Sequence, residues 1–362
     1  MRGALLRNLL FLLSLGLALH LLLPRIPGVE RSLELVSRAS VPLILAALAA
    51  ELLSELSYAG LLGRVTAAAA NIPPRLRRRR GLGSWYMLRL TVTGYGASHA
   101  LPGGGAAGAA VAYTALRSRG LERRRIGAAL AATSALAYGA LGTILAASLL
   151  YLLARGNLDP AQRTAASLGL SLTLAGFAGS YAVYRNPLPA RLALEGAAKG
   201  LPGLLGGSAR GRRLAAALER ALLRLGAELG ALRRQLMSAP PAEILRLCAL
   251  ALGFWAFDAL CLLLMFRAFG VEAGTAELLA AYGIATAAGA LPLTPGGIGV
   301  FETTILTVLV LFGIGPEATV PVLGYRLFNF WLPIPLAALL YPTLHRRPGP
   351  RPPLSRFGRR YS

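Results

Sequence analysis

Apolar residues run through this chain in long blocks rather than in the alternation of strands or the one-sided stripe of a soluble helix. Six blocks, at 4–23, 39–63, 126–153, 164–184, 242–268 and 320–343, approach the ~20 residues that cross a bilayer as a helix. Two more, 84–116 and 276–314, are too long for one crossing and shorter than the ~40 residues that two would take. Each of these two is interrupted near its middle. The second reads LPLTPGGIGVFE over 291–302; Pro292 and Pro295 cannot continue a helix ladder, and Gly296, Gly297 and Gly299 permit positive φ and close backbone approach. The first reads ALPGGGAAGA over 100–109, with Pro102, Gly103, Gly104 and Gly105 in the corresponding place. Irregular backbone persists inside a bilayer only where protein buries it or where it lines a cavity. A helix restarting after such a break aims unpaired N–H groups back at it. The pattern predicts an all-α polytopic membrane protein of about six transmembrane helices and two helical hairpins, with the breaks forming an anion-binding element.

Charge decides how the hairpins lie. Arg75 to Arg80 and Arg117 to Arg125 flank the first, so both of its ends belong on the cytoplasmic side and the segment is re-entrant. The second has no basic cluster at either flank and is expected to enter and return from outside. With this layout most of the 38 basic residues fall on cytoplasmic pieces, which supports both termini in the cytoplasm; the expected location is the plasma membrane. The two halves, each a span, a hairpin and a span, then have opposite orientation. This is an inverted-topology repeat, an architecture on which transporters alternate between two openings.

Between the halves, Leu214, Leu218, Leu222, Leu225, Leu229, Leu232 and Leu236 recur at helical spacing among arginines, predicting an amphipathic cytoplasmic connector over about 190–238. The same stripe fits a homodimer seam. The transmembrane domain is expected to occupy 1–345, followed by a disordered basic tail at 346–362 that touches anionic headgroups.

Composition narrows the function. A net charge of +23 in a soluble protein would suggest nucleic acid, but at 55% hydrophobic and 15% charged residues this chain is membrane-embedded and its arginines mark topology. Cys248 and Cys261 lie too far apart on one predicted helix to pair, and three histidines in all make no metal site. No hydrolase elbow, H-E-x-x-H or phosphate loop ending in G-K-[ST] is present, so neither an enzyme nor a cofactor is expected.

The charged residues left inside apolar blocks are more informative. Glu51 and Glu55 share a helix face with Tyr58, and Asp258 lies near the middle of its own helix. Such carboxyls cost several kcal/mol unless paired, protonated or wet, so their faces should turn inward, and all three are proton-coupling candidates. Glu302 begins the helix after the second break, with Arg326 on the last span as its natural partner; a bridge and direct substrate contact both remain open. His99, ahead of the first break, can donate to a phosphate. Tyr95, Tyr138 and Trp331 fit either a cavity wall or the membrane interface.

Two stretches, LPGGGAAGAAVAYTALRSRG at 101–120 and PLTPGGIGVFETTILTVLVLFGIGPEATVPVLGYRLFNFWLP at 292–333, resemble the lysylphosphatidylglycerol synthase transmembrane, or flippase-like, family. The more specific signal is P-x-x-P-G-G-x-G-x-x-E followed about two dozen residues later by Y-R. The resemblance implies a protein that moves a lipid with an anionic or modified headgroup between leaflets. It assigns the functional set Pro102, Gly103, Gly104, Pro295, Gly296, Gly297, Gly299, Glu302 and Arg326; Gly105 and His99 join it from the reading above. Unlike many relatives, the chain has Ser98 and His99 rather than Asn before the first Pro-Gly, which leaves headgroup specificity open.

The expectation is a flippase- or scramblase-like transporter of a phosphate-bearing lipid, a stand-alone membrane domain without aminoacyl-transfer activity. Its partners would be membrane lipids with an anionic or glycan-linked headgroup, and no nucleic acid. A secondary transporter of a small soluble anion and a scaffold for lipid-synthesis enzymes are the alternatives. Gly297→Val is expected to abolish transport while leaving insertion largely intact.

Overall fold

The computed structural model describes residues 37–72, 81–101, 104–185, 239–291 and 294–344, apart from the side chains of 182–185 and Pro295. The first apolar block, the Arg75 to Arg80 cluster, the 190–238 connector, the 346–362 tail and the pair Pro102 and Gly103 lie outside the described residues.

Every regular element among the described residues is a helix. Four are long and apolar enough to cross a membrane: α1 (Val41–Ala69), α4 (Arg123–Arg155), α6 (Pro241–Ala268) and the last span, Pro316–Leu344. They coincide with four of the predicted blocks. The block at 164–184 also forms a helix, α5 (Pro160–Arg185), but Ser, Thr and Gly recur through it and it is not among those four. The two interrupted blocks each form a pair of helices. They are α2 (Ser84–Ala100) with α3 (Gly105–Ser118), and α7 (Thr275–Gly289) with α8 (Val300–Leu311).

Helix ends follow local chemistry. α1 opens with Pro42 in its first turn, where a missing N–H removes no hydrogen bond. α4 stops at Gly156, which takes the left-handed conformation at φ 75°. The last span is not one rod. It runs as α9 (Thr319–Arg326), a π turn over Leu327–Trp331 and α10 (Pro333–Leu344). Pro333 has no N–H to offer the preceding turn, and the Leu332 N–H reaches the Leu327 carbonyl, five residues back, at 2.9 Å.

The interior is largely apolar but takes in polar groups that a lipid-facing surface could not hold. On α1, Leu45, Leu52 and Leu56 are exposed while Glu51, Ser54 and Glu55 are buried. That face turns the polar groups to the interior and leaves leucine for lipid. α1 packs along α6 through small residues, with Gly60 against Leu250 and the Ser54 hydroxyl donating to the Phe254 carbonyl at 2.7 Å. Small residues at such crossings let backbones approach closely where apolar burial supplies little drive. At the end of this pair, Arg64 donates to both oxygens of Glu243 at 2.7 Å. Within the first hairpin, Gly108 of α3 lies against the Gly94 carbonyl of α2, and the Tyr86 hydroxyl donates to the Ala115 carbonyl at 3.0 Å. α10 packs on α2, and α4 contacts α1, α5, α6 and α7.

Candidate functional site

The helices surround a cavity of about 470 Å³ into which both hairpin breaks open. Gly104 and Gly105 line it from the first break, and Thr294, Gly296 and Gly297 from the second. Glu55, Asp258, His99 and Arg326 bring ionisable side chains to its wall. Leu291 both lines the cavity and is 54% exposed, so the space reaches the protein surface beside the second break.

The two breaks use glycine differently. Gly104 has φ +52°, and neither it nor Gly105, the first residue of α3, has another group within 4 Å of where a side chain would begin. Among the described residues the α3 N-terminus thus has room for a side chain at both glycines and no side-chain cap. Gly297, at φ +70°, is buried, and a Cβ there would sit 2.8 Å from the Gly289 carbonyl oxygen. At Gly296 it would meet the Phe330 ring at 2.6 Å and the His99 backbone at 2.9 Å. At Gly297 a β-branched residue has neither the backbone freedom nor the room, so Gly297→Val would disturb the packing of this turn as well as the lining of the cavity.

Glu302 and Gly299 stand behind the lining. Gly299 caps α8, and its N–H donates to Glu302 Oε2 at 2.8 Å. The other oxygen, Oε1, accepts from Arg326 Nε at 2.5 Å, so Glu302 ties the start of α8 to the last span. Of the two roles left open for this pair, the bridge is present. It leaves Arg326 half used. Its guanidinium lies 4.8 Å from the Phe301 ring centre and 4.3 Å from that of Phe330, and Nη2 is buried with no partner among the described residues. His99 Nδ1 is likewise buried and unpartnered, its ring 4.5 Å from those of Tyr95 and Phe330.

The three carboxyls have unlike surroundings. Asp258 accepts from Tyr282, from Tyr325 at 3.0 Å and from Asn329 Nδ2 at 2.8 Å, and that amide also donates to the Tyr95 hydroxyl at 3.0 Å. The network draws α2, α6, α7, α9 and the π turn around one buried acid. Glu51, 4% exposed, lies against Asp258 and Asn329 and does not line the cavity. Glu55 does line it, and neither of its oxygens has a hydrogen-bond partner. Aromatic rings complete this wall. Tyr58 lies 4.9 Å from Phe254, which is 4.4 Å from Trp255, and the Trp255 Nε1–H donates to the Ala137 carbonyl at 2.6 Å. Tyr95 and Tyr138 line the cavity; Trp331 does not.

Sequence reasoning gave no role to Asn329, Tyr282, Phe301 and Phe330, and used Tyr325 only as part of the Y-R signature. Asn329 carried a signal of its own, an amide in the middle of an apolar block. Pro102 and Gly103 lie outside the described residues, and of Pro295 only the backbone, in a tight turn over Pro295–Gly297, is described. Among the described residues no group of three or more His, Cys, Asp or Glu is arranged to hold a metal ion.

In comparison with known proteins, a 91-residue stretch is 34% identical to a "UPF0104 membrane protein" of Methanothermobacter thermautotrophicus. That stretch is 25% of this chain and covers 27% of the relative, so the likeness spans about a quarter of each. The sequence model of the family described as "Lysylphosphatidylglycerol synthase TM region" matches residues 9–337. That match takes in both breaks, every helix around the cavity and most of the last span, and on it the chain belongs to the lysylphosphatidylglycerol synthase TM region family.

Proposed function

We propose that this membrane protein moves a lipid with an anionic or modified, phosphate-bearing headgroup between leaflets, as a flippase- or scramblase-like transporter. The observation that carries the reading is Arg326: a guanidinium 4% exposed, one nitrogen held by Glu302 and another unpartnered, on the wall of a cavity that two helix breaks share. A buried donor without an acceptor is costly, and an incoming phosphate oxygen supplies one. The start of α3, which no side chain among the described residues caps, adds a second anion-binding element beside the cavity.

In this reading the headgroup enters the cavity and sits between Arg326 and the α3 N-terminus, with His99 close by. The acyl chains stay in lipid, beside the exposed end of the cavity at Leu291. The two hairpins are re-entrant from opposite faces of the plasma membrane and belong to inverted repeats, so the halves open the cavity first to one leaflet and then to the other. Both termini lie in the cytoplasm, and the protein transports without being an enzyme.

The test is reconstitution into vesicles with fluorescent phosphatidylglycerol and an external quencher that reports leaflet exchange. Exchange above the protein-free rate is expected, with loss in Arg326→Gln. Exchange at the protein-free rate in the wild type, or at an undiminished rate in Arg326→Gln, overturns the assignment. Uptake of labelled inorganic phosphate into the same vesicles, without lipid exchange, would transfer the cavity to a soluble anion.

A further inference from the structure

The carboxyl of Glu55 has no part in the anion site, and its surroundings set it apart from the two acids near it. Asp258 is held by three donors and Glu51 lies behind the wall. Glu55 is 6% exposed, lines the cavity, and has both oxygens without a hydrogen-bond or ion-pair partner among the described residues. The titratable and charged groups beside it or on the same cavity wall are Glu51 and Tyr58 on α1, Tyr95 and His99 on α2, Tyr138 on α4, Asp258 on α6, and Tyr325 and Arg326 at the end of α9. Arg326 is the one fixed cation in this set, and its ion pair is with Glu302.

A buried carboxyl without a donor or cation is accommodated as the neutral acid, whereas the ionised form needs water or a cation beside it. Such a group can ionise only when the cavity is hydrated, and an anion entering the same cavity opposes its charge. From this geometry we infer that Glu55 carries one proton together with each anionic headgroup, so that binding of the headgroup and of the proton favour one another. The step balances simply. With the cavity empty and wet, the Glu55 O–H bond breaks and the proton passes to cavity water, leaving the carboxylate. A headgroup entering from one side draws a proton from water on that side, and both depart on the other. The inference rests on the lipid-translocation reading and adds the coupling ion to it.

Reciprocity makes it testable at equilibrium, without transport. The purified full chain in detergent is titrated with dioctanoyl phosphatidylglycerol in weak buffer containing a pH-indicator dye, over about two pH units on the alkaline side of neutrality, where the carboxyl of the empty cavity can give up its proton. Wild type is expected to take up close to one proton per bound probe and to bind up to about tenfold more weakly per pH unit toward alkaline pH. Glu55→Gln should bind with no proton uptake and a flat pH dependence. Glu55→Met gives the same readout if the amide destabilises the fold. Glu277→Gln, a carboxyl at the start of α7 and away from the cavity lining, should retain the wild-type profile.

Proton uptake that persists in both Glu55 variants assigns the coupling to another group, His99 first, and overturns the inference. Wild-type binding without proton uptake overturns it too and leaves lipid translocation standing. Failure of the wild type to bind the probe at any pH overturns the lipid reading itself, and this inference with it.

Discussion

Placing a carboxylate at the mouth of the first break separates the proposed anion site from the fold that carries it. Gly105 is the first residue of α3, its φ lies outside the left-handed region, and nothing stands within 4 Å of a Cβ built there. An Asp at this position costs no packing, and at a helix N-terminus it gains about 0.3–1 kcal/mol from the helix dipole. The same charge lies in the path of the ligand. At an effective dielectric near 20, a carboxylate about 5 Å from a bound phosphate opposes it by about 3 kcal/mol, on the order of a hundredfold in affinity. Gly105→Asn has nearly the same shape without the charge, so the ratio between the two variants isolates the electrostatic part. The assay is titration of dioctanoyl phosphatidylglycerol into each purified variant, alongside leaflet exchange in vesicles and thermal unfolding in detergent. The expected result is an Asp variant at least as stable as the Asn variant that binds the probe about a hundredfold more weakly. Equal binding by two folded variants would refute a phosphate at the α3 N-terminus, and a sharp loss of stability in Asp alone would refute the open space assigned to that residue.

Other substitutions test the frame. Gly297→Ala, forced into φ +70° with its Cβ 2.8 Å from the Gly289 carbonyl, should destabilise the α7–α8 hairpin by about 2 kcal/mol, read as a lower unfolding midpoint in detergent. Asp258→Ala strands the donors of Tyr282, Tyr325 and Asn329 and should cost at least about 3 kcal/mol, whereas Tyr282→Phe, which removes one bond, should cost about 1 kcal/mol. Glu302→Gln leaves Arg326, with a side chain only 5% exposed, short of its charge partner. Adding Arg326→Met should then recover stability relative to the sum of the single losses, with a coupling of about 2 kcal/mol in a double-mutant cycle. Strictly additive losses would show that the bridge contributes nothing.

What the sequence disclosed followed from how rigid the chemistry was. Proline and glycine clusters inside apolar blocks have few conformations open to them, and the helices indeed end at Ala100 and Gly289 and restart at Gly105 and Val300. Intramembrane acids are costly enough that Glu51, Glu55 and Asp258 were legible as interior residues, and all three are buried. The partners of those acids were not. Tyr282 reads like any aromatic in an apolar span, Tyr325 stood out only as the neighbour of Arg326, and nothing in their spacing marks a shared acceptor on a different helix. Phe301 and Phe330 likewise gave no sign that they flank Arg326, because stacking on a cation depends on where two distant segments meet. The glycines of the second break were legible as a turn, but not as the contact that seats that turn on Gly289 and His99.

The last span also has a mechanical meaning. Its first part, α9, packs on α6, and its second part, α10, packs on α2. One chain segment is thus held at its two ends by different helices, with the π turn over Leu327–Trp331 between them. A π turn holds one residue more than the helix needs, so it can tighten or loosen without unfolding either neighbour. In the translocation proposed above, any shift of α6 against α2 would gather its strain at this joint. Asn329 sits on it and Arg326 directly precedes it, so the groups that hold Asp258 and Glu302 ride on the part of the span that must yield first.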